Sequence, residues 1–396
     1  MAADYRAGNR LNLLESGREY FPALLAEINS AQREIFLETY IFAADPVGEA
    51  VATALAAAAS RGVSVQLLVD GFGGRNFADD FLPRLVAAGV YAMLYRPELA
   101  RFNFRRNRLR RLHRKLAVID ARVAFVGGIN IVDDDNAPPG LRPRYDYAVR
   151  VEGPVVAQIH AAVARIWGIV VWANFKRRYR IRTLIPPEQP TEGGQIAAFL
   201  RRDSFRHRND IANAYLNAIA SARSEIIIAN AYFLPGLRFR HALRAAARRG
   251  VAVTVVLQGV SDHPLLQHAS RTLYSALLAA GVRIYEYRRS FLHAKVAIVD
   301  GRWATVGSSN IDPFSLFLAK EGNLAIRDRD FANELRTRLL AAVATGASEI
   351  LAADLAALPW YSRFLRWISY GVVKMLVDLA GFGPRLWGDD RSGFRK

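Results

Sequence analysis

Leu112-His113-Arg114-Lys115-Leu116-Ala117-Val118-Ile119-Asp120 and Leu292-His293-Ala294-Lys295-Val296-Ala297-Ile298-Val299-Asp300 are two copies of one pattern, His-x-Lys-x-x-x-x-Asp. Each leads to a similar tail, Phe125-Val126-Gly127-Gly128-Ile129-Asn130 and Thr305-Val306-Gly307-Ser308-Ser309-Asn310, with the same spacing from Asp to Asn. The run after each histidine is apolar and strand-like, and Asp300-Gly301 signals a tight turn. Positions i and i+2 of a strand share a face, so His113 points with Lys115 and His293 with Lys295. Imidazole beside ammonium suits a phosphate: the amine neutralises charge while the ring attacks or shuttles a proton. Asn130 and Asn310 lie one hairpin away, where an amide can donate to a phosphoryl oxygen. Asp120 and Asp300 count among the catalytic residues as motif members. Their place at the strand ends makes them organisers of the hairpin more than acids.

Working outward, the surroundings of the motif repeat as well. The strand candidate Glu34–Phe42 returns at Glu225–Phe233, Arg61-Gly62-Val63 at Arg249-Gly250-Val251, and Ala87-Ala88-Gly89-Val90 at Ala279-Ala280-Gly281-Val282. The period is far too long for a solenoid. Strands alternate with helices expected near 47–60 and 79–88, and a helical pattern runs up to about Ser30. The fold class is therefore α/β, built as two duplicated units with largely buried sheets. A Pro- and Gly-rich linker, Thr183–Gly194, divides the chain. The expected boundaries are 1–190 for the first unit, 191–340 for the second and 341–396 for a tail.

The chain has 396 residues and a net charge of +18, with 48 Arg and only 6 Lys, two of which sit in the motifs. Such a balance favours an anionic partner: nucleic acid, an acidic membrane or a phosphorylated substrate. Cysteine is absent, which excludes disulfides, a thiol nucleophile and thiolate metal sites. His263 and His268 have no third metal ligand nearby, so no metal and no cofactor is expected. The N-terminus lacks a signal-peptide core, and no uncharged run approaches the length of a spanning helix. The expected location is the cytoplasmic face of the cell membrane, held peripherally.

The paired motif resembles the hallmark of the phospholipase D superfamily, and the resemblance covers nearly the whole chain. Three segments are similar to bacterial cardiolipin synthases of the shorter B type. They are Val126-Gly127-Gly128-Ile129-Asn130, Tyr145-Asp146-Tyr147-Ala148-Val149-Arg150-Val151-Glu152-Gly153-Pro154 and Val306-Gly307-Ser308-Ser309-Asn310-Ile311-Asp312-Pro313. The resemblance implies two phospholipase D-like α/β sandwich domains about a pseudo-twofold axis, sharing one metal-independent site. It implies that His113 is the nucleophile and forms a phosphohistidine. His293 would protonate the departing alkoxide and then activate the acceptor. Lys115, Lys295, Asn130 and Asn310 would hold phosphoryl oxygens, and the carboxylates orienting the histidines would be Asp146 and Glu321. Glu38 and Asn230, at what read as equivalent strand ends, are further candidates to line the site.

The implied reaction transfers a phosphatidyl group from one phosphatidylglycerol to another, releasing glycerol. A phospholipid hydrolase and a nuclease of the same superfamily are the alternatives. Nucleic acid is the less expected partner, because the tail fits a lipid surface. From Trp360 to Phe382, a helix would carry Arg363, Arg366, Tyr370, Lys374 and Asp378 on one narrow side and a broad apolar, aromatic face elsewhere. The Arg-rich insertion Arg101–Arg111 runs directly into His113 and is expected to meet an anionic lipid or another polyanion.

Overall fold

The first half supplies eight strands among the described residues. They are β1 (Arg6–Glu15), β2 (Glu34–Thr39), β3 (Ser64–Asp70), β4 (Tyr91–Tyr95), β5 (Leu116–Ile119), β6 (Val123–Gly127) and, after the short β7 (Arg144–Tyr145), β8 (Tyr147–Glu152). The second half supplies β9 (Gln195–Arg202), β10 (Glu225–Asn230), β11 (Ala252–Gln258), β12 (Arg283–Tyr287), the short β13 (Phe291–Leu292), β14 (Lys295–Val299), β15 (Trp303–Gly307), β16 (Glu321–Arg327) and β17 (Ala347–Glu349). This computed structural model describes residues 3–97, 110–179, 181, 193–203 and 206–379. Most of the basic insertion (101–109), most of the linker (183–192) and the chain beyond Leu379 lie outside the described residues.

Fifteen strands form one continuous sheet in the order β17-β12-β11-β10-β14-β15-β16-β9-β1-β8-β6-β5-β2-β3-β4. β1 and β9 pair antiparallel at its centre. Outward from that seam the same succession is met in both directions: β8 or β16, β6 or β15, β5 or β14, β2 or β10, β3 or β11, β4 or β12. Only β17 has no counterpart among the described strands. The three outer strands of each half run parallel, and the motif strands β5 and β14 run antiparallel to β2 and β10.

Helices cover both faces. One face packs under Pro154–Ala173 and Arg329–Gly346 in a core that runs through both halves. The other face splits into two clusters, one per half. Ser16–Ser30 and Pro46–Ser60 cover the first, and Asp210–Ser221 and Leu237–Arg248 cover the second. Helices 46–60 and 237–248 stop at the same point. Gly62 and Gly250 follow with φ of +90° and +89°, a conformation that costs a residue with a Cβ dearly. Arg61 and Arg249 then reach back to the carbonyls of Ile28 and Ile219, each at 3.1 Å.

Four expectations need correction. The strands β1 and β9, which make the seam, are not among the strands read from the sequence, although Asn9, Leu11 and Leu13 are buried near the chain start. The helix expected near 79–88 is two short ones, Phe77–Asp80 and Leu82–Ala87, interrupted just before Pro83. The expected boundary at 340 falls inside the helix Arg329–Gly346, and beyond it β17 still belongs to the sheet. Finally, Pro154–Ala173 is long and apolar enough to cross a membrane by composition, but its apolar window is 61% buried within the protein. It packs into the core through Val155, Ile159, Val163, Ile166 and Val170.

The C-terminal helix Trp360–Leu379 packs through Ser369, Val373 and Val377, with Tyr370 alongside, against Leu234, Ala269 and Leu273. Arg366 is half-buried and feels Arg271 and Glu286 of the protein body. The stripe expected to carry headgroup-facing charge therefore turns partly inward. Trp360, Tyr361, Phe364, Leu365, Trp367, Ile368, Met375 and Leu376 stay exposed.

Candidate active site

Each motif begins paired with backbone from the opposite half. Leu112 bridges Lys320, and β13 runs parallel to β7. His113 N donates to the Lys320 carbonyl (3.0 Å) and His293 N to the Tyr145 carbonyl (2.8 Å). The residue after each of those carbonyls is a carboxylate. The chain therefore delivers Glu321 to His113 and Asp146 to His293. His113 Nδ1 lies 3.0 Å from Glu321 Oε1 and 3.1 Å from Oε2. His293 Nδ1 lies 2.6 Å from Asp146 Oδ2. Both histidines are paired across the seam. With each Nδ1 bonded to a carboxylate, Nε2 is left as the working nitrogen of each ring.

The lysines lie just inside. Lys115 Nζ donates to the His113 carbonyl at 2.7 Å, Lys295 Nζ donates to the His293 carbonyl, and Lys295 Nζ is also 3.7 Å from Asp146 Oδ2. Burial dominates their electrostatics. It pulls Lys115 down to about 7, against the attraction of Glu321, and Lys295 down to about 8, against Asp146 and Glu321. Burial also lowers His113, opposed by Glu321, and lowers His293 further, where Lys295, Arg144 and Lys115 add to it. Asp146 is pushed up to about 6 by burial, against the pull of Lys295. In the resting site both rings are accordingly neutral near pH 7 and Asp146 is ionised. The site is short of an anion: a bound phosphate would favour the charged forms of both lysines and of one imidazole.

Asn130 Oδ1 accepts from Ile41 N and Asn310 Oδ1 from Tyr232 N, both at 3.2 Å. These bonds fix the plane of each amide and leave its NH2 group as the donor. Asp120 and Asp300 are not with the histidines. Four residues of strand separate Lys115 from Asp120, about 17 Å of chain at roughly 3.4 Å per residue. Asp120 accepts from the backbone of Gln32, Arg33 and Glu34 at 2.8–2.9 Å. Asp300 accepts from Arg223, Ser224 and Glu225 at 2.8–3.0 Å. Both fasten the starts of β2 and β10. As motif members they count among the expected catalytic residues, but they serve as organisers of the strand starts, away from the histidines.

Glu38 and Asn230 are not equivalent. The register aligns Asn230 with Lys295 and Glu38 with Leu116, one residue off Lys115. The counterpart of Asn230 is Thr39. Glu38 is buried against Arg114, Nη2 to Oε1 2.7 Å. Asn230 Oδ1 accepts from Ile311 N at 3.0 Å and is fully buried. Glu38 is thus engaged by Arg114, one residue away from the Lys115 register, while Asn230 stands at the Lys295 register. His263 is an exposed loop residue, and among the described residues no group of three or more His, Asp or Glu could hold a metal.

A family model described as "Cardiolipin synthase, PLD-like domain" matches residues 24–167 and 215–341. The chain belongs to this cardiolipin synthase family of phospholipase D-like proteins. It is 41% identical over 393 residues to cardiolipin synthase B of Escherichia coli K12, covering 97% of this chain and 92% of that one. It is 42% identical over 385 residues to cardiolipin synthase B of Salmonella typhimurium, with the same coverage. The fold is similar to that of phosphatidylserine synthase from Haemophilus influenzae, with a TM-score of 0.69 at 12% identity over 95% of this chain and 96% of the other.

Several residues of this family member's site escape sequence reading because they lie outside the motif. The Tyr40 ring is 5.0 Å from the His113 ring and 5.4 Å from Lys115 Nζ. Phe291 stacks on His293, and Arg144 lies over Phe291 at 5.0 Å. Asp70 accepts from Leu112 N (2.8 Å) and fixes the entry to the first motif strand. Ser308 donates to Glu321 and accepts from Gly322 N at 3.1 Å. Its counterpart Gly128 has no room for a side chain, since a Cβ there would meet the Asp146 carboxylate at 2.4 Å. The difference between Gly-Gly and Gly-Ser in the two tails is visible in the sequence. Its pairing with a shorter and a longer carboxylate is not.

Proposed function

We propose that this chain is a cardiolipin synthase that transfers a phosphatidyl group from one phosphatidylglycerol to another. The observation that carries the reading is the crossed pairing of His113 with Glu321 and of His293 with Asp146, which makes one site of two motifs. His113 Nε2 attacks the phosphorus of the donor. The P–O bond to glycerol breaks, and His293, held as the imidazolium once the anionic phosphodiester is bound, gives its Nε2 proton to the departing oxygen. A hydroxyl of the second phosphatidylglycerol then attacks the phosphorus, His293 takes that hydroxyl's proton, and the P–N bond breaks. Dividing the displacement in this way suits a modest nucleophile. Lys115, Lys295 and the NH2 groups of Asn130 and Asn310 neutralise and hold the phosphoryl oxygens. Glu321 and Asp146 hold Nδ1 of each ring and so turn Nε2 toward the phosphorus.

The palindromic strand order, the matched helix stops and the two matched stretches support reading the chain as two phospholipase D-like domains, 1–190 and 191–349, related by a pseudo-twofold axis. The exposed aromatic face of Trp360–Leu379 supports peripheral attachment of the following segment to an acidic membrane on the cytoplasmic side. Phe72 and Val260 support it as well. They sit at equivalent loops after β3 and β11, and both are exposed.

The test is turnover of labelled phosphatidylglycerol vesicles, with chelator present and products resolved by mass. Cardiolipin and free glycerol are expected, together with an acid-labile phosphoryl adduct on His113 that His113→Ala abolishes. Phosphatidic acid alone would make water the acceptor and the protein a hydrolase. Cleavage of added DNA without any lipid product would overturn the lipid reading.

A further inference from the structure

Arg144 stands two residues before Asp146, and the residue between them points away from the site. Tyr145 stacks on Tyr287, with ring centroids 5.7 Å apart, in the core that runs through both halves. Alternation along a strand therefore turns Arg144 to the same side as Asp146, whose carboxylate holds His293. The contacts agree. β7 and β13 set Arg144 opposite Phe291, and the guanidinium lies 5.0 Å over the Phe291 ring. That ring is in turn stacked on His293, with 6.3 Å between centroids and 17° between planes. Arg144, Phe291 and His293 form one short stack that leads away from the working ring.

Arg144 is half-exposed, and its Nε donates to the Asn136 carbonyl at 3.0 Å. Among the described residues its two NH2 groups have no hydrogen bond and no ion pair. Asp262, Asp146 and Asp134 act on it only from beyond ion-pair distance, and Asp262 is taken up by the Tyr232 hydroxyl at 2.5 Å. Burial outweighs these carboxylates and lowers the guanidinium below its ordinary value. The other half has no such cation. The matching bridge between Leu112 and Lys320 makes Ala319 the counterpart of Arg144 and Arg111 the counterpart of Phe291. Arg111 is engaged, donating to the Arg96 carbonyl at 3.2 Å and lying 3.8 Å from Asp70.

We propose that Arg144 is the acceptor-binding residue: its guanidinium takes the phosphodiester of the second phosphatidylglycerol while the free hydroxyl of that lipid meets His293. This rests on the phosphatidyl-transfer reading and deepens it. In-line displacement brings the acceptor oxygen to the phosphorus opposite His113, on the side of His293. The hydroxyl oxygen bonds to phosphorus, its proton passes to His293 Nε2, and the P–N bond to His113 breaks. The glycerol released in the first step leaves from the same place but carries no phosphate, so only the acceptor has a use for a cation there. The acceptor's phosphate lies one glycerol unit from the attacking hydroxyl. A glycerol unit with a hydrogen bond of about 3 Å at each end spans a gap comparable to the one the Phe291 ring sets between His293 and Arg144. The fork of a guanidinium suits two oxygens of one phosphodiester.

The experiment uses the full chain and phosphatidylglycerol vesicles with ethanol added, and quantifies cardiolipin and phosphatidylethanol together. Both products arise from one intermediate on His113, so their ratio reads the acceptor step alone. Arg144→Gln is expected to lower the ratio of cardiolipin to phosphatidylethanol about tenfold, the scale of one charge-assisted hydrogen bond. Arg144→Lys keeps the charge and should restore most of the ratio. An unchanged ratio in Arg144→Gln overturns the proposal whether or not total turnover falls, because Arg144 would then only hold its loop or tune His293. The wild type supplies a check that needs no variant. Offered glycerol and glycerol phosphate at equal concentration, it should transfer to glycerol phosphate about tenfold faster. Equal transfer to the two overturns the proposal as well. A wild type that makes neither cardiolipin nor phosphatidylethanol overturns the transfer reading itself.

Discussion

His293 Nδ1 and Asp146 Oδ2 lie 2.6 Å apart although 147 residues separate them, and His113 is held in the same manner by Glu321, 208 residues away. Neither half supplies both a motif histidine and the carboxylate that holds it. Asp146→Asn and Glu321→Gln keep the shape but let the imidazole choose the wrong tautomer. Each should lower kcat by about 100-fold or more with little change in thermal stability, as for other ring-orienting carboxylates. Gly128→Ala should act through the same contact, because its Cβ would displace the Asp146 carboxylate. Steady-state kinetics with circular dichroism on each variant checks all three. Unchanged kcat in Asp146→Asn would remove the orienting role.

The pH profile follows from the buried lysines. Free Lys115 and Lys295 are held at about 7 and about 8, below the ordinary lysine value. As pH rises through that window the free site loses positive charge, and phosphate binding weakens. kcat/KM reports the free enzyme and should fall above about pH 7–8. Bound phosphate favours the ammonium forms, so the alkaline limb of kcat should lie at higher pH than that of kcat/KM. Coincident limbs in the two profiles would contradict this account.

Asp120 and Asp300 should separate stability from chemistry. Asp120→Ala strands the backbone N–H groups of Gln32, Arg33 and Glu34. Each buried donor left unsatisfied costs about 1–3 kcal/mol. The variant should melt several degrees lower, yet the folded protein below its transition should keep kcat within about tenfold, because Asp120 is remote from the rings. Urea unfolding and kinetics at low temperature test the two parts independently. The acid side adds a signed expectation. Backbone donors hold Asp300 down to about 2. Its contribution is present above its ordinary range near pH 4 and is lost as pH falls toward 2. Asp300→Asn should therefore narrow the stability difference between pH 5 and pH 2.

The motif strands, the outer parallel strands and most helices are legible because burial imposes period 2 or 3.6 on their apolar residues. The repeated sequence pattern then supplies a check, since an element read in one half can be sought in the other. The seam is harder. β1 reads Arg6-Ala7-Gly8-Asn9-Arg10-Leu11-Asn12-Leu13-Leu14-Glu15, and only Leu11 and Leu13 advertise a strand before the helix begins. Asn9 is buried because Oδ1 accepts from Val155 N (3.0 Å) and Nδ2 donates to the Arg6 carbonyl (2.7 Å), a use of asparagine that composition does not disclose. The motif names the site's histidines and lysines, and family resemblance names Asp146 and Glu321. Their crossing depends on which strand starts lie together, which is a property of the seam. Glu38 misleads for a related reason. Its alignment with Asn230 is off by one residue, and one residue in a strand reverses the face.

The tail supplies the last expectation. Trp360–Leu379 spends Ser369, Val373 and Val377 on the protein and leaves Phe364, Leu365, Trp367 and Ile368 to the outside. An apolar face of this kind, beside Lys374 and in a protein of net charge +18, matches an acidic bilayer surface. Phe364→Ser and Trp367→Ser should each weaken binding to phosphatidylglycerol vesicles about tenfold, the low end for withdrawing a large side chain from an apolar phase. High salt should weaken wild-type binding further by screening the basic residues. Turnover of a dispersed short-chain phosphatidylglycerol should be unaffected by either substitution, because neither residue reaches the histidines. Vesicle flotation paired with the short-chain assay separates docking from chemistry. Equal loss in both assays would mean that the helix supports the fold and not the membrane contact.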